Sequence, residues 1–220
     1  MSIAQNLLNI KASLPESVTL VAVSKTKPVS DLMEVYDAGQ RIFGENKIQE
    51  MVDKWEQMPK DIEWHMIGHV QTNKVKYMAP FVNLIHGVDS LKLLQEINKQ
   101  AAKNNRIINC LLQIHIAEEE TKFGLDETEL NVLLTSSELQ DMKNIQILGL
   151  MGMATFTDNQ NQVKKEFQHL KSVFDKLNPL NTTNYKLNTI SMGMSGDYQL
   201  AIECGSTMVR IGSSIFGGRK

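Results

Sequence analysis

The sequence predicts a single (β/α)8 barrel, an α/β fold in which eight parallel strands alternate with helices. Eight short apolar or β-branched runs recur along the 220 residues, and helical periodicity fills most of the segments between them. The spacing, 220/8 or about 27 residues per unit, is compact for a fold of usually about 250 residues. No Pro/Gly/Ser-rich linker divides the chain, so residues 1–220 are expected to form one domain. A doubly wound open sheet is the alternative, because strand periodicity cannot show closure.

The first half of the chain begins with an amphipathic helix, Met1 to Leu14, whose apolar residues recur at helical spacing. The strands that follow are nearly all apolar or β-branched, which suits parallel strands covered on both faces. Glycines at 39, 68 and 87 are expected to end elements. We predict strands at Val18–Ser24, Arg41–Phe43, Ile62–Ile67 and Val82–Ile85, and helices at Ser30–Ala38, Glu45–Gln57 and Val70–Met78.

The second half carries clearer helix signals. Asp89 or Ser90 caps a helix with Leu91, Leu94, Ile97 and Ala101 on its inner face, and Asp126 with Glu129 resembles a capping box. Apolar residues from Val163 to Leu177 recur at helical spacing and predict the most amphipathic helix of the chain. The remaining strands are predicted at Ile107–Ile116, Ile145–Leu150, Tyr185–Ser191 and Thr207–Ile211.

Composition excludes several classes of protein. A net charge of -2, from 23 basic and 25 acidic residues, gives no reason to expect nucleic acid or a charged membrane as partner. Cys110 and Cys204 are far apart and lack CxxC spacing, and the amino terminus does not resemble a signal peptide, so we expect a cytoplasmic protein. Of the five histidines only His65 and His69 are at i, i+4, across a strand end, so no metal site is expected.

In a barrel, residues at the carboxyl ends of all strands share one face. Lys25 follows the first strand, and partial desolvation there would lower its pKa and free neutral amine to attack a carbonyl. The first hypothesis is therefore a Schiff-base lysine, with Lys27 as the alternative. The other strand-end residues are Asn46, His69, His115, Met153, Ser191, Arg210, Gly212 and Ser213.

The last two strand ends suggest an anion site. Phosphate commonly binds the loops after strands seven and eight of this fold, and the segments around Ser195 and Gly212 are rich in Gly and Ser. Their backbone amides could hold an anion, although Gly212 and Ser213 could equally form a tight turn. A lysine opposite such a site indicates a phosphorylated aldehyde as ligand.

Seven motifs carry a specific resemblance: VAVSKTKP, FGENKIQE, WHMIGHVQTNK, TKFGL, GLMGM, SMGMSGD and VRIGSSIFG. In this order, from Val21 to Gly217, they resemble the pyridoxal phosphate homeostasis protein family, whose fold is similar to the barrel domain of alanine racemase. The resemblance implies pyridoxal 5'-phosphate held as a Schiff base on Lys25, with its phosphate at Ser195, Gly212 and Ser213. It also places Arg210 near the pyridine nitrogen. Asn46, Met153 and Ser191 are further expected cofactor-binding positions; Asn46 could instead cap its helix, and Met153 could serve packing alone.

The resemblance further implies management of the cofactor pool, with no established turnover, and cofactor-dependent apoenzymes as possible recipients. Arginine donates to the ring nitrogen but does not readily protonate it, which weakens the electron sink. A cofactor-dependent amino-acid racemase is the alternative hypothesis, and a lysine-dependent aldolase acting on a phosphorylated sugar is the third. The chain is expected to be a monomer, because it lacks the further domain of the racemases. His115 stands where the family commonly has asparagine, and Lys122 is a candidate for a secondary cofactor position.

Overall fold

The computed structural model describes residues 2–119, 123–177 and 185–218. Within these residues eight parallel strands form a closed barrel in chain order, because each strand pairs with the next and the eighth pairs with the first. Closure confirms the predicted (β/α)8 fold and excludes the open sheet. The strands are β1 (Thr19–Val23), β2 (Ile42–Glu45), β3 (Glu63–Met66), β4 (Leu84–Val88), β5 (Ile108–Gln113), β6 (Ile145–Met151), β7 (Tyr185–Ser191) and β8 (Met208–Ile211).

Helices cover the outside of the barrel, and the described segments between strands contain at least one each. Ser90 caps α5, and the capping box of Asp126 and Glu129 opens α6, both as expected. The helices are α1 (Ile3–Ser13), α2 (Val29–Asp37), α3 (Ile48–Gln57), α4 (Val75–Met78), α5 (Leu91–Lys103), α6 (Glu127–Thr135), α7 (Ser137–Asp141), α8 (Gln160–Leu177), α9 (Tyr198–Glu203) and α10 (Ser213–Phe216). No helix in these described segments is long and apolar enough to cross a membrane.

Side chains alternate between two cores along each strand. In β1, Leu20 and Ala22 join the large core between barrel and helices, whereas Val21 and Val23 join a small core inside the barrel. The same alternation, continued past the end of β1, directs Ser24 outward and Lys25 toward the mouth. The alternation of side chains along β1 therefore points Lys25 into the mouth of the barrel.

Two predicted boundaries were wrong because glycine is part of the strand. β2 continues through Gly44 to Glu45, and α3 begins only at Ile48. A Cβ on Gly44 would lie 2.8 Å from Val21 Cγ1, so the barrel interior requires glycine there. Gly87 likewise lies within β4, and its Cβ would lie 2.7 Å from the Gly68 carbonyl oxygen. The short helices α7, α9 and α10 were not predicted, since four to six residues show too little periodicity.

Candidate functional site

A cavity of about 690 Å³ opens at the carboxyl ends of the strands. Seven of the eight residues predicted to bind the ligand line it; Ser191 is the exception, because it lies fully buried below the cavity floor. The seven are Lys25, Asn46, Met153, Ser195, Arg210, Gly212 and Ser213. One cavity therefore brings together residues from five strand ends that are up to 188 positions apart in sequence.

Lys25 and Lys27 both line the cavity, but their environments differ. The Nζ of Lys27 donates to the carbonyl oxygens of Phe216 at 3.0 Å and Gly218 at 3.2 Å. Lys27 thus fastens the end of α10 and the segment after it to the mouth. Lys25 is half-buried and follows the inward alternation of β1. Of the two lysines, Lys25 has the position suited to a ligand inside the barrel mouth.

Asn46 follows β2 and lines the cavity without capping a helix. The cap position of α3 is Lys47, whose side chain makes no capping hydrogen bond. Close packing fixes the Asn46 backbone, since a Cβ on Gly68 would lie 2.5 Å from its carbonyl oxygen. Asn46 is consequently available to a ligand and held in place by the next strand end.

Ser195 and the amides that begin α10 form the opposite wall. The Ser195 hydroxyl oxygen accepts hydrogen bonds from the backbone amides of Gly212 at 3.3 Å and Ser214 at 3.4 Å. A Cβ at Gly212 would lie 3.0 Å from the carbonyl oxygen of Val23, so glycine lets this turn approach β1 closely. An oxygen acceptor bound by converging amides is the arrangement that a phosphate oxygen would require.

Arg210 is buried at the base of the cavity, where it donates hydrogen bonds to neutral oxygen atoms and feels the negative charge of Asp197. Its guanidinium donates to the carbonyl oxygen of Ser191 at 2.8 Å, to the Ser191 hydroxyl at 2.6 Å, and to the carbonyl oxygen of Gly152 at 3.1 Å. Burial lowers the pKa of Arg210 to about 10, so the side chain remains charged at neutral pH. This buried guanidinium is fixed in orientation and can donate to a ligand.

Two histidines continue this hydrogen-bond chain into the barrel interior. His86 Nδ1 lies 3.0 Å from the Ser191 hydroxyl, and His86 Nε2 lies 3.1 Å from His65 Nδ1. Arginine only donates, so the Ser191 oxygen accepts from it. We assign the Ser191 proton to His86 Nδ1, the other hydrogen-bond partner of this hydroxyl among the described residues. His86 then carries its proton on Nε2 and donates to His65. Burial lowers the pKa of His65 to about 3 and that of His86 well below its usual value, so both imidazoles are neutral.

Neither the buried hydrogen bonds of these histidines nor the residues at the rim of the cavity were predicted from the sequence. His65 and His86 each interrupt an apolar strand. A polar residue in such a run needs a hydrogen-bond partner, and this is the signal that could have identified the buried hydrogen-bond network. At the rim, Phe123 stacks on His69 with ring centroids 4.2 Å apart, and its carbonyl oxygen accepts from Gln113. Phe156, which also lines the cavity, is 95% exposed. No sequence pattern marks these contacts, because they join separate loops.

The remaining candidate positions are less central. His115 does not line the cavity, and its Nε2 lies 3.0 Å from the carbonyl oxygen of Glu119. Lys122 lies outside the described residues. Across the described ranges, no group of three His, Cys, Asp or Glu side chains is placed to hold a metal ion.

Comparison with known proteins adds family evidence. The family model described as "Alanine racemase, N-terminal domain" matches residues 1–220. The pyridoxal phosphate homeostasis protein of Aquifex aeolicus is 40% identical over 202 residues, covering 91% of this chain and 87% of that relative. The match thus extends over nearly the full length of both proteins.

Solved structures agree with the barrel. PipY of Synechococcus elongatus, solved with pyridoxal phosphate bound, is 33% identical with a TM-score of 0.89, covering 98% of this chain and all of that one. An alanine racemase from Clostridium difficile is 16% identical with a TM-score of 0.81, covering 99% of this chain and 60% of that one. The second similarity shows the fold alone.

Proposed function

The chain belongs to the alanine racemase N-terminal domain family and, within it, to the pyridoxal phosphate homeostasis proteins, and on that premise we propose that Lys25 holds the cofactor covalently. The function is binding of pyridoxal 5'-phosphate in the maintenance of the cellular cofactor pool. The observation that supports the role of Lys25 is the cavity itself, which has this amine on one wall and the Ser195 and Gly212 group on another. A ligand with an aldehyde and a phosphate matches that pair of walls.

The aldehyde end is assigned to Lys25. When bound, pyridoxal 5'-phosphate supplies an aldehyde carbon that a neutral lysine amine can attack, forming a carbon–nitrogen double bond with loss of one water. Lys25 contributes the amine, and it lies on the wall of the cavity. Lys27 itself is engaged by the carbonyl oxygens of Phe216 and Gly218.

The phosphate end is assigned to Ser195, Gly212 and Ser213. The Gly212 and Ser214 amides already bind an oxygen, that of the Ser195 hydroxyl, so they have the direction that a phosphate oxygen needs. A bound phosphate would share or replace the Ser195 oxygen at these donors. Ser213 adds a hydroxyl on the same wall.

The ring is assigned to the space over Arg210, with Asn46 and Met153 on the surrounding walls. The buried guanidinium can donate to a ring nitrogen, because Ser191 and Gly152 fix its orientation and the negative charge of Asp197 favours its charged form. A charged donor fits an unprotonated pyridine nitrogen. Ser191 acts on the ring only through Arg210, because it lies below the cavity floor.

The test is covalent mapping of the cofactor. Purified protein reconstituted with pyridoxal 5'-phosphate should show the absorption of a lysine-bound cofactor, and borohydride reduction should place the cofactor mass on the peptide carrying Lys25. Lys25→Ala should lose the absorption, whereas the matched control Lys27→Ala should retain it. Cofactor mass on Lys27, or on no lysine, would overturn the assignment. Efficient exchange of the α-hydrogen of amino acids by the pure protein would instead favour a racemase.

We also propose that residues 1–220 act as one cofactor-binding domain, as a monomer in the cytoplasm, and that apoenzymes receive the cofactor from it. The closed barrel supports the single domain, because the described strands form one sheet. Light scattering after gel filtration should give a mass near 24.8 kDa. Mixing loaded protein with a cofactor-free aminotransferase should restore the activity of that enzyme; no transfer would contradict the role of donor.

A further inference from the structure

A buried ionic cluster lies behind Lys25, on the outer side of the barrel and away from the cavity. It consists of Ser24, Glu45, Glu50 and Lys54, and its members come from the end of β1, the end of β2 and the inner face of α3. The Lys54 side chain is 6% exposed and that of Glu45 is fully buried. Cavity-lining residues do not include any of the four. Their role therefore does not involve contact with a ligand.

The cluster holds the peptide unit that precedes Lys25. Lys54 Nζ donates to the Ser24 carbonyl oxygen at 2.7 Å, and that oxygen belongs to the Ser24–Lys25 peptide. The same Nζ donates to Glu45 Oε1 at 2.7 Å, and Glu45 Oε1 also accepts from the Ser24 hydroxyl at 2.6 Å. Ser24 is thus held at its carbonyl oxygen and at its side chain.

The cluster also holds the peptide unit that follows Lys25. The Thr26 backbone amide belongs to the Lys25–Thr26 peptide, and it donates to Glu50 Oε1 at 2.5 Å. Thr26 has φ of +64°, a left-handed conformation that β-branched residues rarely adopt. A strained conformation persists only where surrounding contacts enforce it, and Glu50 supplies such a contact.

Lys54 and Glu50 connect the two holds, because Lys54 Nζ donates to the same Glu50 oxygen at 2.8 Å. We propose that Lys54 and Glu50 are positioning residues that fix both peptide units flanking Lys25 and thereby direct its amine into the cavity. The inference rests on the proposed attachment of the cofactor to Lys25. It goes further, because it assigns the positioning of the Lys25 amine to residues that do not line the cavity.

The test compares pyridoxal 5'-phosphate with pyridoxine 5'-phosphate, which carries an alcohol in place of the aldehyde and so cannot react with Lys25. Glu50→Ala removes the acceptor of the Thr26 amide from a partly exposed site, so folding should survive. The variant should lose about tenfold in affinity for the aldehyde and keep its affinity for the alcohol within about twofold. Glu50→Gln retains an acceptor oxygen and should recover most of the loss. Gln49→Ala, the adjacent exposed position of α3, is the matched control and should behave as wild type.

The outcomes separate this inference from the proposed function. Wild-type protein whose reduced cofactor is not on Lys25 would overturn the proposed function. Wild-type protein with the cofactor on Lys25, together with unchanged aldehyde affinity in Glu50→Ala, would overturn the positioning role alone. Equal losses for the aldehyde and the alcohol would also overturn it, because they would indicate general loosening of the cavity. Lys54→Met should show the same aldehyde-specific loss, and wild-type affinity for the aldehyde in this variant would overturn the role of Lys54.

Discussion

The two histidines inside the barrel make the stability of this protein depend on pH below neutrality. His65 is 2% exposed and His86 is fully buried, and burial lowers the pKa of His65 to about 3 and that of His86 well below its usual value. In the unfolded chain both should titrate near pH 6.5. Below that pH the unfolded chain takes up protons that the folded chain does not, so the free energy of unfolding falls as pH falls.

The size of the effect follows from the two pKa values of His65. With about 6.5 in the unfolded chain and about 3 in the folded one, His65 alone lowers the free energy of unfolding by about 2 kcal/mol between roughly pH 7.5 and pH 5.0. His86 adds to this loss in the same direction, because burial also lowers its pKa. Glu45 opposes part of this loss, because burial raises its pKa and protonation then favours the folded state.

Urea unfolding at the two pH values measures this loss, and a variant isolates the part due to His65. His65→Phe should lower stability at both pH values but lose about 2 kcal/mol less than wild type on acidification. Leu111→Ala removes an apolar side chain from the same interior and is the control: it should cost about 2 to 5 kcal/mol at both pH values and keep the wild-type pH dependence. A His65→Phe variant with the full wild-type loss would refute the neutral buried imidazole.

Three other predictions test the floor and walls of the cavity, and a fourth tests whether the residues that support Arg210 and those that support Lys25 act independently. Gly212→Ala should weaken pyridoxine 5'-phosphate binding in calorimetry and cost about 1 to 3 kcal/mol in urea unfolding, since its Cβ would meet the Val23 carbonyl oxygen at 3.0 Å; unchanged binding would contradict the assigned phosphate wall. Arg210→Lys should cost about 2 to 3 kcal/mol in unfolding, because one ammonium cannot reproduce the geometry of the guanidinium with Ser191 and Gly152; a loss below 1 kcal/mol would refute that. Nitrogen-15 NMR of the histidine side chains should show His65 and His86 protonated on Nε2. A proton on His86 Nδ1 would contradict the assigned hydrogen-bond directions from Ser191 to His86 and from His86 to His65. Ser191 and Glu50 share no hydrogen-bond partner among the described residues. The losses in cofactor binding free energy of Ser191→Ala and Glu50→Ala should therefore add within about 0.5 kcal/mol in the double variant. A larger coupling energy would contradict separate supports for Arg210 and for Lys25.

The fold was accessible from the sequence because strand and helix signals alternate with a regular spacing. Seven predicted ligand positions line one cavity for the same reason: strand ends converge in a closed barrel, so the order of elements is sufficient to group them. Glu45 shows the limit. Its placement depends on Gly44 lying inside the strand, and the requirement for glycine comes from Val21 and Ile67 across the barrel interior. Ser191 shows a second limit, because a residue at a strand end can support a ligand-facing neighbour without facing the cavity itself.

Polar groups buried on both sides of the barrel wall explain how the cavity can be preorganised while it stays open to solvent. Arg210 is held from the interior by Ser191 and the two histidines, and Lys25 is held from the outer layer by Lys54 and Glu50. Buried polar groups are costly unless each has a partner, so retaining two such networks at one mouth is hard to explain by stability alone. Attachment of an aldehyde to an amine releases water and is reversed by water, so a binding protein needs a fixed amine that solvent can still reach. Lys25 meets both conditions, because its flanking peptides are fixed from behind and the residue is only half-buried at the mouth.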